Sequence, residues 1–200
     1  DICERHDLLL IEDCCEALGA RYGDQPVGVY GNIATFSFYF SHHMTTIEGG
    51  IVTTFNRDAA ELMRVLRAHG WTRDMEEPPQ THLDPRFTFI NQGYNLRLNE
   101  LQAAIGLVQL PKLDSYVALR RATAHAWLKE LEPFGQSLEF QHEEPQGASS
   151  WFGFPVVVRN EAPCMPYDII AALNEAEIET RPIICGNIAL QPGMQLYPHR

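Results

Sequence analysis

From Ala34 to Ser41 two kinds of residue alternate: Ala34, Phe36, Phe38 and Phe40 fall on one side, Thr35, Ser37, Tyr39 and Ser41 on the other. A period of two belongs to a strand, here Ile33 to Phe40, whose side chains leave alternate faces. One face then builds core and the other can line a polar site. Upstream, Leu8 to Ile11 is a short continuous apolar run that stops at Glu12-Asp13, the pattern of a parallel strand buried on both faces. A third strand is expected at Ile51 to Phe55, followed by a helix from about Asp58 to His69 with Leu62, Val65 and Leu66 at helical spacing. Strands alternating with helices predict an α/β layered sheet.

Residues Gly70 to Gln92 are mostly polar and carry prolines, which in a compact domain marks a functional or interface loop rather than a spacer. Asn99 is placed to cap a helix running to Leu110, and beyond Pro111 a long amphipathic stretch continues to about Leu131. A boundary is expected there. Trp151 to Val158 predicts a strand and Pro166 to Ala176 a helix with proline in its first turn, together the start of a smaller α/β domain. Residues 1–131 and 132–200 are thus expected to form two domains, the second incomplete. The chain opens at Asp1 to Asp7 as the tail of a helix would, without a methionine, and ends at Tyr197-Pro198-His199-Arg200 with no closing element. It is expected to be a segment of something longer.

The 26 acidic and 15 basic residues leave a net charge of −11, and no lysine or arginine block is present to track a phosphate backbone. Nucleic acid is not expected as a partner. No apolar run reaches the roughly 18 to 20 residues of a membrane span, so no membrane association is expected either. Five scattered cysteines, Cys3, Cys14, Cys15, Cys164 and Cys185, predict reduced thiols and a cytoplasmic location.

Asp13 directly follows the apolar strand, at the carboxyl end where open α/β sheets place their ligands. Alone, it reads equally well as a cap for Cys14-Cys15-Glu16. The polar face of the alternating strand delivers Ser37 and Ser41 to a loop with His42, His43, Thr45, Thr46, Glu48, Gly49 and Gly50. Hydroxyls, a base and a flexible glycine pair suit a phosphate-anchored cofactor. An ordinary loop with a space-filling histidine pair is the plain alternative. A metal site is not expected, because adjacent histidines lack the i, i+4 spacing that sets two ligands on one helical face and no cysteine pair supports them. The glycines of Val27 to Gly31 need no more than a reverse turn, and Trp71 and Trp151 are core or interface aromatics.

Three ordered stretches carry a resemblance: Ile11-Glu12-Asp13-Cys14-Cys15-Glu16-Ala17-Leu18-Gly19-Ala20, then Phe36-Ser37-Phe38-Tyr39-Phe40-Ser41-His42-His43-Met44-Thr45-Thr46-Ile47-Glu48-Gly49-Gly50, then Gly93-Tyr94-Asn95-Leu96-Arg97-Leu98-Asn99-Glu100-Leu101-Gln102-Ala103-Ala104. They resemble the DegT/StrS family of sugar aminotransferases and dehydratases, enzymes of fold type I with the aspartate aminotransferase architecture. The resemblance implies that residues 1–131 are the C-terminal part of a cofactor-binding large domain and that 132–200 begin the small domain. It implies pyridoxal or pyridoxamine 5′-phosphate as cofactor, with Asp13 on the pyridine nitrogen, Glu16 near the ring and Ser37 on the phosphate. Asn95 would reach the phosphate site of a neighbouring subunit in a homodimer with shared active sites. Arg181 and Asn187 fall where the family approaches its substrate, a nucleotide-linked keto sugar.

One departure from the family decides the expected chemistry. The Schiff-base lysine, five residues after the phosphate-binding serine, is replaced by His42, and the only lysines are Lys112 and Lys129. An imidazole cannot form that linkage but moves protons near neutral pH. A histidine here resembles the sugar 3-dehydratase branch, in which pyridoxamine phosphate condenses with a 4-keto sugar, the histidine removes a proton and the C3 hydroxyl leaves. Hydrolysis gives a 3-deoxy-4-keto sugar for deoxysugar and polysaccharide biosynthesis. Some members of that branch carry an iron–sulphur cluster. None is expected here, because Gly70 to Gln92 lacks cysteine. Transamination of the same sugars and a non-catalytic role in binding cofactor or sugar nucleotide stand as alternatives.

Overall fold

The computed structural model describes residues 2–197; Pro198, His199 and Arg200, named above at the chain end, lie outside them. A short helix α1 (Ile2–Arg5) precedes the strands β1 (Ile11–Asp13), β2 (Arg21–Tyr22), β3 (Gln25–Pro26), β4 (Ile33–Ser37) and β5 (Gly50–Thr53). Helices α2 (Arg57–Arg67), α3 (Glu100–Gln109) and α4 (Leu113–Leu131) follow, then β6 (Leu138–Phe140), β7 (Gly147–Ala148), β8 (Val156–Val158) and α5 (Pro166–Glu175). The chain packs as two compact units that interleave in sequence. Among the described residues, the first holds 2–124 and 143–152, the second 125–142 and 153–197.

The central sheet of the first unit has the order β1-β4-β5. β1 runs parallel to β4 with Asp13 opposite Thr35, and β5 returns antiparallel with Val52 opposite Thr35 and Gly50 opposite Ser37. The alternation in β4 does what its period requires: Ala34 is 1% exposed, at the heart of the core. The strand is nonetheless shorter than its pattern. It ends at Ser37, and Phe40 is 64% exposed. The cause is local, because Phe38 leaves the ladder to bond the loop, donating its N–H to Gly49 O at 2.9 Å and accepting from Thr46 N at 2.9 Å.

The apolar run at Leu8 to Ile11 also differs from expectation. The strand begins only at Ile11, and Leu8, Leu9 and Ile11 are exposed. β1 is the edge of its sheet and has no neighbour on its outer side among the described residues. Nothing there covers the run. Its inner anchor is Glu12, whose carboxylate accepts the backbone N–H groups of Gly28 (2.8 Å), Tyr30 (2.8 Å) and Gly31 (2.6 Å). The 27–31 stretch is therefore more than a reverse turn: it is tied to the sheet and helps line an apolar cavity of about 300 Å³ with Phe36 and Phe55.

α3 starts where expected. Asn99 and Gln102 form a reciprocal capping box, with Asn99 Oδ1 accepting from Gln102 N at 3.0 Å and Gln102 Oε1 from Asn99 N at 3.1 Å. The long loop after α2 is folded back on itself. Trp71 stacks on Phe87 and Phe89 with centroids 6.0 and 5.6 Å away, and Ile90 N donates to Gly70 O at 3.0 Å. Gly70 sits at φ +84°, and a Cβ there would lie 1.7 Å from Asn91 O, a backbone atom that cannot swing aside. Gly70→Ala is expected to cost about 3 kcal/mol through strain and overlap. In thermal melts the midpoint should fall by roughly 6–12 °C; an unchanged midpoint would mean that this loop does not pack as described.

The second unit is small. β6 and β8 pair antiparallel, and Phe154 joins Trp127 (centroids 5.1 Å, edge-on) to Phe140 (5.9 Å). Arg159 ties the pair to the turn before it, through Gly135 O at 3.3 Å and Glu139 at 3.3 Å. α5 begins with Pro166, whose missing N–H costs nothing at that position.

Candidate active site

The site is built on one face of the sheet. Registered residues of neighbouring strands point the same way, so Asp13, Thr35 and Ser37 share a face, with Ser37 about 6.6 Å further along β4 than Thr35. Glu12, Ala34 and Phe36 leave the other face. Asp13 Oδ1 accepts from Cys15 N at 3.1 Å and lies 3.5 Å from Thr35 Oγ1. The Cys15 thiol and then the Cys15 N–H hold the Asp13 carboxyl below its ordinary 3.8; burial opposes them more weakly, and the Thr35 hydroxyl adds the smallest lowering. Asp13 thus stays a carboxylate well into the acid range. It closes a local turn and caps no helix. Burial pushes the Cys14 and Cys15 thiols up, so both remain protonated near neutral pH.

Ser37 ends β4 with its Oγ accepting from Tyr39 N at 3.2 Å. A hydroxyl used as an acceptor keeps its own hydrogen to donate, which suits an anionic oxygen. The loop from Phe38 to Gly50 is then pinned by bonds that do not use the His42 side chain. Thr46 Oγ1 donates to Glu48 O at 2.8 Å, Gln102 Nε2 of α3 donates to the same oxygen at 2.8 Å, and Gly106 of α3 lets Thr46 approach so closely that an added Cβ would stand 3.0 Å from its methyl group.

His42 is carried on this pinned loop. Its backbone N–H bonds Tyr39 O at 3.0 Å, but its imidazole Nδ1 is buried with no hydrogen-bond partner. The ring is held by other rings: Tyr39 lies edge-on at 6.0 Å, and Phe152 at 5.0 Å with a 52° tilt. With Nδ1 enclosed, Nε2 is the nitrogen left to exchange a proton. The two lysines lie elsewhere, Lys112 in the 3-10 turn after α3 and Lys129 in α4.

His43 has a different character. It is 3% exposed, its Nε2 lies 3.2 Å from Ser150 O, and its Nδ1 is buried without a partner. A carbonyl can only accept, so Nε2 carries the proton and Nδ1 is the bare nitrogen. Burial lowers its pKa below 6.5, with Arg120 and His42 adding to the effect against the bond to Ser150. The linkage sign follows: the unfolded chain binds this proton more readily, so His43 favours the fold above pH 6.5, and that contribution fades as pH falls toward the folded value. His43→Asn is expected to flatten the decline in melting temperature just below pH 6.5. An unaltered slope would show that His43 does not titrate in this way.

Asn95, exposed in the segment before α3, offers its Oδ1 to the Arg97 guanidinium at 3.2 and 3.3 Å. Arg97 can only donate, so the Asn95 NH2 is the end left free for an acceptor. Glu16 is exposed in the turn after Asp13. Arg181 and Asn187 belong to the second unit. Arg181 is exposed, and Asn187 caps a 3-10 turn by accepting from Ala189 N at 3.0 Å. Asp13, Ser37 and His42 are therefore held on one sheet and its following loop. Phe152 and Thr35, which also touch this set, escaped the sequence reading. Thr35 was visible on the polar face of the alternating strand, whereas nothing in the sequence links Phe152 to a histidine 110 positions away.

Among the described residues no group of three or more His, Cys, Asp or Glu is placed to hold a metal ion, and no helix is long and apolar enough to cross a membrane. A model of the DegT/DnrJ/EryC1/StrS aminotransferase family matches residues 1–198. The chain is 40% identical over 193 residues to the GDP-4-keto-6-deoxy-D-mannose 3-dehydratase of Yersinia pseudotuberculosis, covering 93% of this chain and 48% of that protein. It is 34% identical over 185 residues to the GDP-perosamine synthase of Caulobacter vibrioides, covering 92% and 47%. It spans about half the length of these curated relatives. The structure of E. coli GDP-4-keto-6-deoxy-D-mannose-3-dehydratase with bound hydrated PLP superposes with a TM-score of 0.89 at 33% identity, over 98% of this chain and 51% of that one.

Proposed function

The chain belongs to the DegT/DnrJ/EryC1/StrS aminotransferase family and shares its α/β, fold-type-I architecture, and from that premise we propose that the protein containing it removes the C3 hydroxyl of a nucleotide-linked 4-keto-6-deoxyhexose. The observation that carries the reading is His42: an imidazole whose buried Nδ1 has no hydrogen-bond partner among the described residues, on the loop that follows the Ser37 strand, with neither lysine of the chain in that loop. Likeness to a protein named as a 3-dehydratase supports it.

The residues fit pyridoxamine or pyridoxal 5′-phosphate. The ionised Asp13 would hold the proton of a pyridine nitrogen, the Ser37 hydroxyl would donate to the phosphate, and Glu16 would border the ring. Bound there, the cofactor would supply the electron sink that lets a poor leaving group depart. His42 Nε2 would take up and return the proton of the reacting carbon, as a positioned imidazole does in general acid–base catalysis. Asn95, whose Oδ1 is taken by Arg97, would donate its amide NH2 to the phosphate of a second subunit in a homodimer. Residues 1–131 would be the C-terminal part of the cofactor domain and 132–200 the start of the small domain, where Arg181 and Asn187 would meet the sugar nucleotide. We place the enzyme in the cytoplasm, working without an iron–sulphur cluster in deoxysugar and polysaccharide biosynthesis. Transamination of the same sugars is a second reading, favoured by the likeness to GDP-perosamine synthase.

The test is to incubate the full-length protein with pyridoxamine phosphate and GDP-4-keto-6-deoxymannose and to analyse the sugar by mass and NMR. A product lacking the C3 oxygen is expected. An amino sugar would replace the dehydratase reading with transamination, and cofactor binding without turnover of any 4-keto sugar would point to a non-catalytic homologue.

A further inference from the structure

The segment Ser149–Phe152 is held far more tightly than a connecting loop requires. Arg121 of α4 donates to Ser149 O at 2.7 Å and forms a two-pronged pair with Glu143 at 2.5 and 3.3 Å, while Glu143 also accepts from Ser149 N at 2.6 Å. His43 lies against Ser150 O at 3.2 Å. Arg120 Nη1 donates to both Trp151 O and Phe152 O at 3.0 Å. Four successive carbonyls thus each meet a side-chain donor. Trp151, 4% exposed, is held at φ +49°, a left-handed conformation that a bulky residue keeps only when its surroundings impose it.

That over-determined segment ends by setting the Phe152 ring against both histidines, 5.0 Å from His42 and 5.8 Å from His43. Since no hydrogen bond among the described residues fixes the His42 imidazole, whose Nδ1 is buried unpartnered, its orientation depends on the rings around it. Tyr39 travels with His42 on the same loop and is 39% exposed, so the independent constraint comes from Phe152.

We propose that Phe152, locked in place by Arg120, is a positioning residue for His42, fixing the plane of its imidazole so that Nε2 faces the reacting carbon. The proposal rests on His42 acting as the base. Phe152 acts through His42 and not on the reacting atoms itself. Two histidines side by side then divide the work: His43 fastens the segment, and the segment aims His42.

The test uses the full-length protein with pyridoxamine phosphate. Phe152→Leu is expected to lower kcat by about 10-fold to 10²-fold, as misplacement of a reacting group does, with KM and the absorbance of the bound cofactor unchanged. Phe152→Tyr, which keeps the ring, should restore most of the rate. In protein carrying 13Cε1-labelled histidine, Phe152→Leu should shift the His42 resonance. In a His42→Asn background the same change should have no further effect on the residual rate. A His42 signal unmoved by Phe152→Leu, or an equal rate loss in both backgrounds, would overturn the positioning role alone. Wild-type turnover by His42→Asn would instead overturn the assignment of His42 as base, and the positioning role with it.

Discussion

His42→Asn should lower turnover of the 4-keto sugar by about 10²-fold to 10⁴-fold, the usual worth of a positioned acid–base group. Cofactor binding should be nearly untouched. The separation follows from the structure: Asp13 and Ser37 sit on strands, the loop between Phe38 and Gly50 is pinned through Thr46, Glu48 and Gln102, and none of those bonds uses the imidazole. The measurement pairs steady-state turnover with a titration of pyridoxamine phosphate followed by absorbance. If the variant lost cofactor affinity and turnover together, His42 would be part of the binding site and not the base.

Asp13→Ala should have the opposite signature. Removing one charged hydrogen bond costs about 1.5–3 kcal/mol, or roughly 10-fold to 10²-fold in cofactor affinity, and turnover should fall further because the ring nitrogen loses the partner that keeps it protonated. The fold should survive, since Asp13 is exposed and bonds only its neighbour Cys15 and the facing Thr35. Asp13→Asn sharpens the test, since it preserves shape and removes charge. Unchanged affinity in both variants would leave Asp13 as a turn-forming residue and nothing more.

The sequence made some of this visible and hid the rest for identifiable reasons. The face shared by Thr35 and Ser37 follows from a period of two and was readable directly. So was the helix cap at Asn99, a local signal, to which the structure adds its partner Gln102 three residues on. The extent of the strands was not readable. Leu8 to Ile11 looks buried because apolar runs usually are, yet burial depends on what lies across the sheet edge, which composition does not encode. Strand β4 stops short because Phe38 exchanges ladder partners for Gly49 and Thr46, a choice set by the glycine pair downstream. The contact of Phe152 with His42 joins residues 110 positions apart, and the clamp of Arg120 and Arg121 behind it reaches across 22 to 32 positions. Only folding brings them within reach.

The pinned loop between Phe38 and Gly50 gives this scaffold a replaceable tooth. Its shape is fixed by Thr46, Glu48, Gly49 and the side chain of Gln102, and position 42 contributes only its backbone N–H. A lineage could therefore exchange the side chain at 42 in a single step and change the reaction while the sheet, the carboxylate and the serine remain as they were. What would have to adapt afterwards is the small aromatic enclosure of Tyr39 and Phe152, shaped here for a flat ring. On this scaffold, divergence of chemistry would be traced in those two neighbours before any strand or helix had moved.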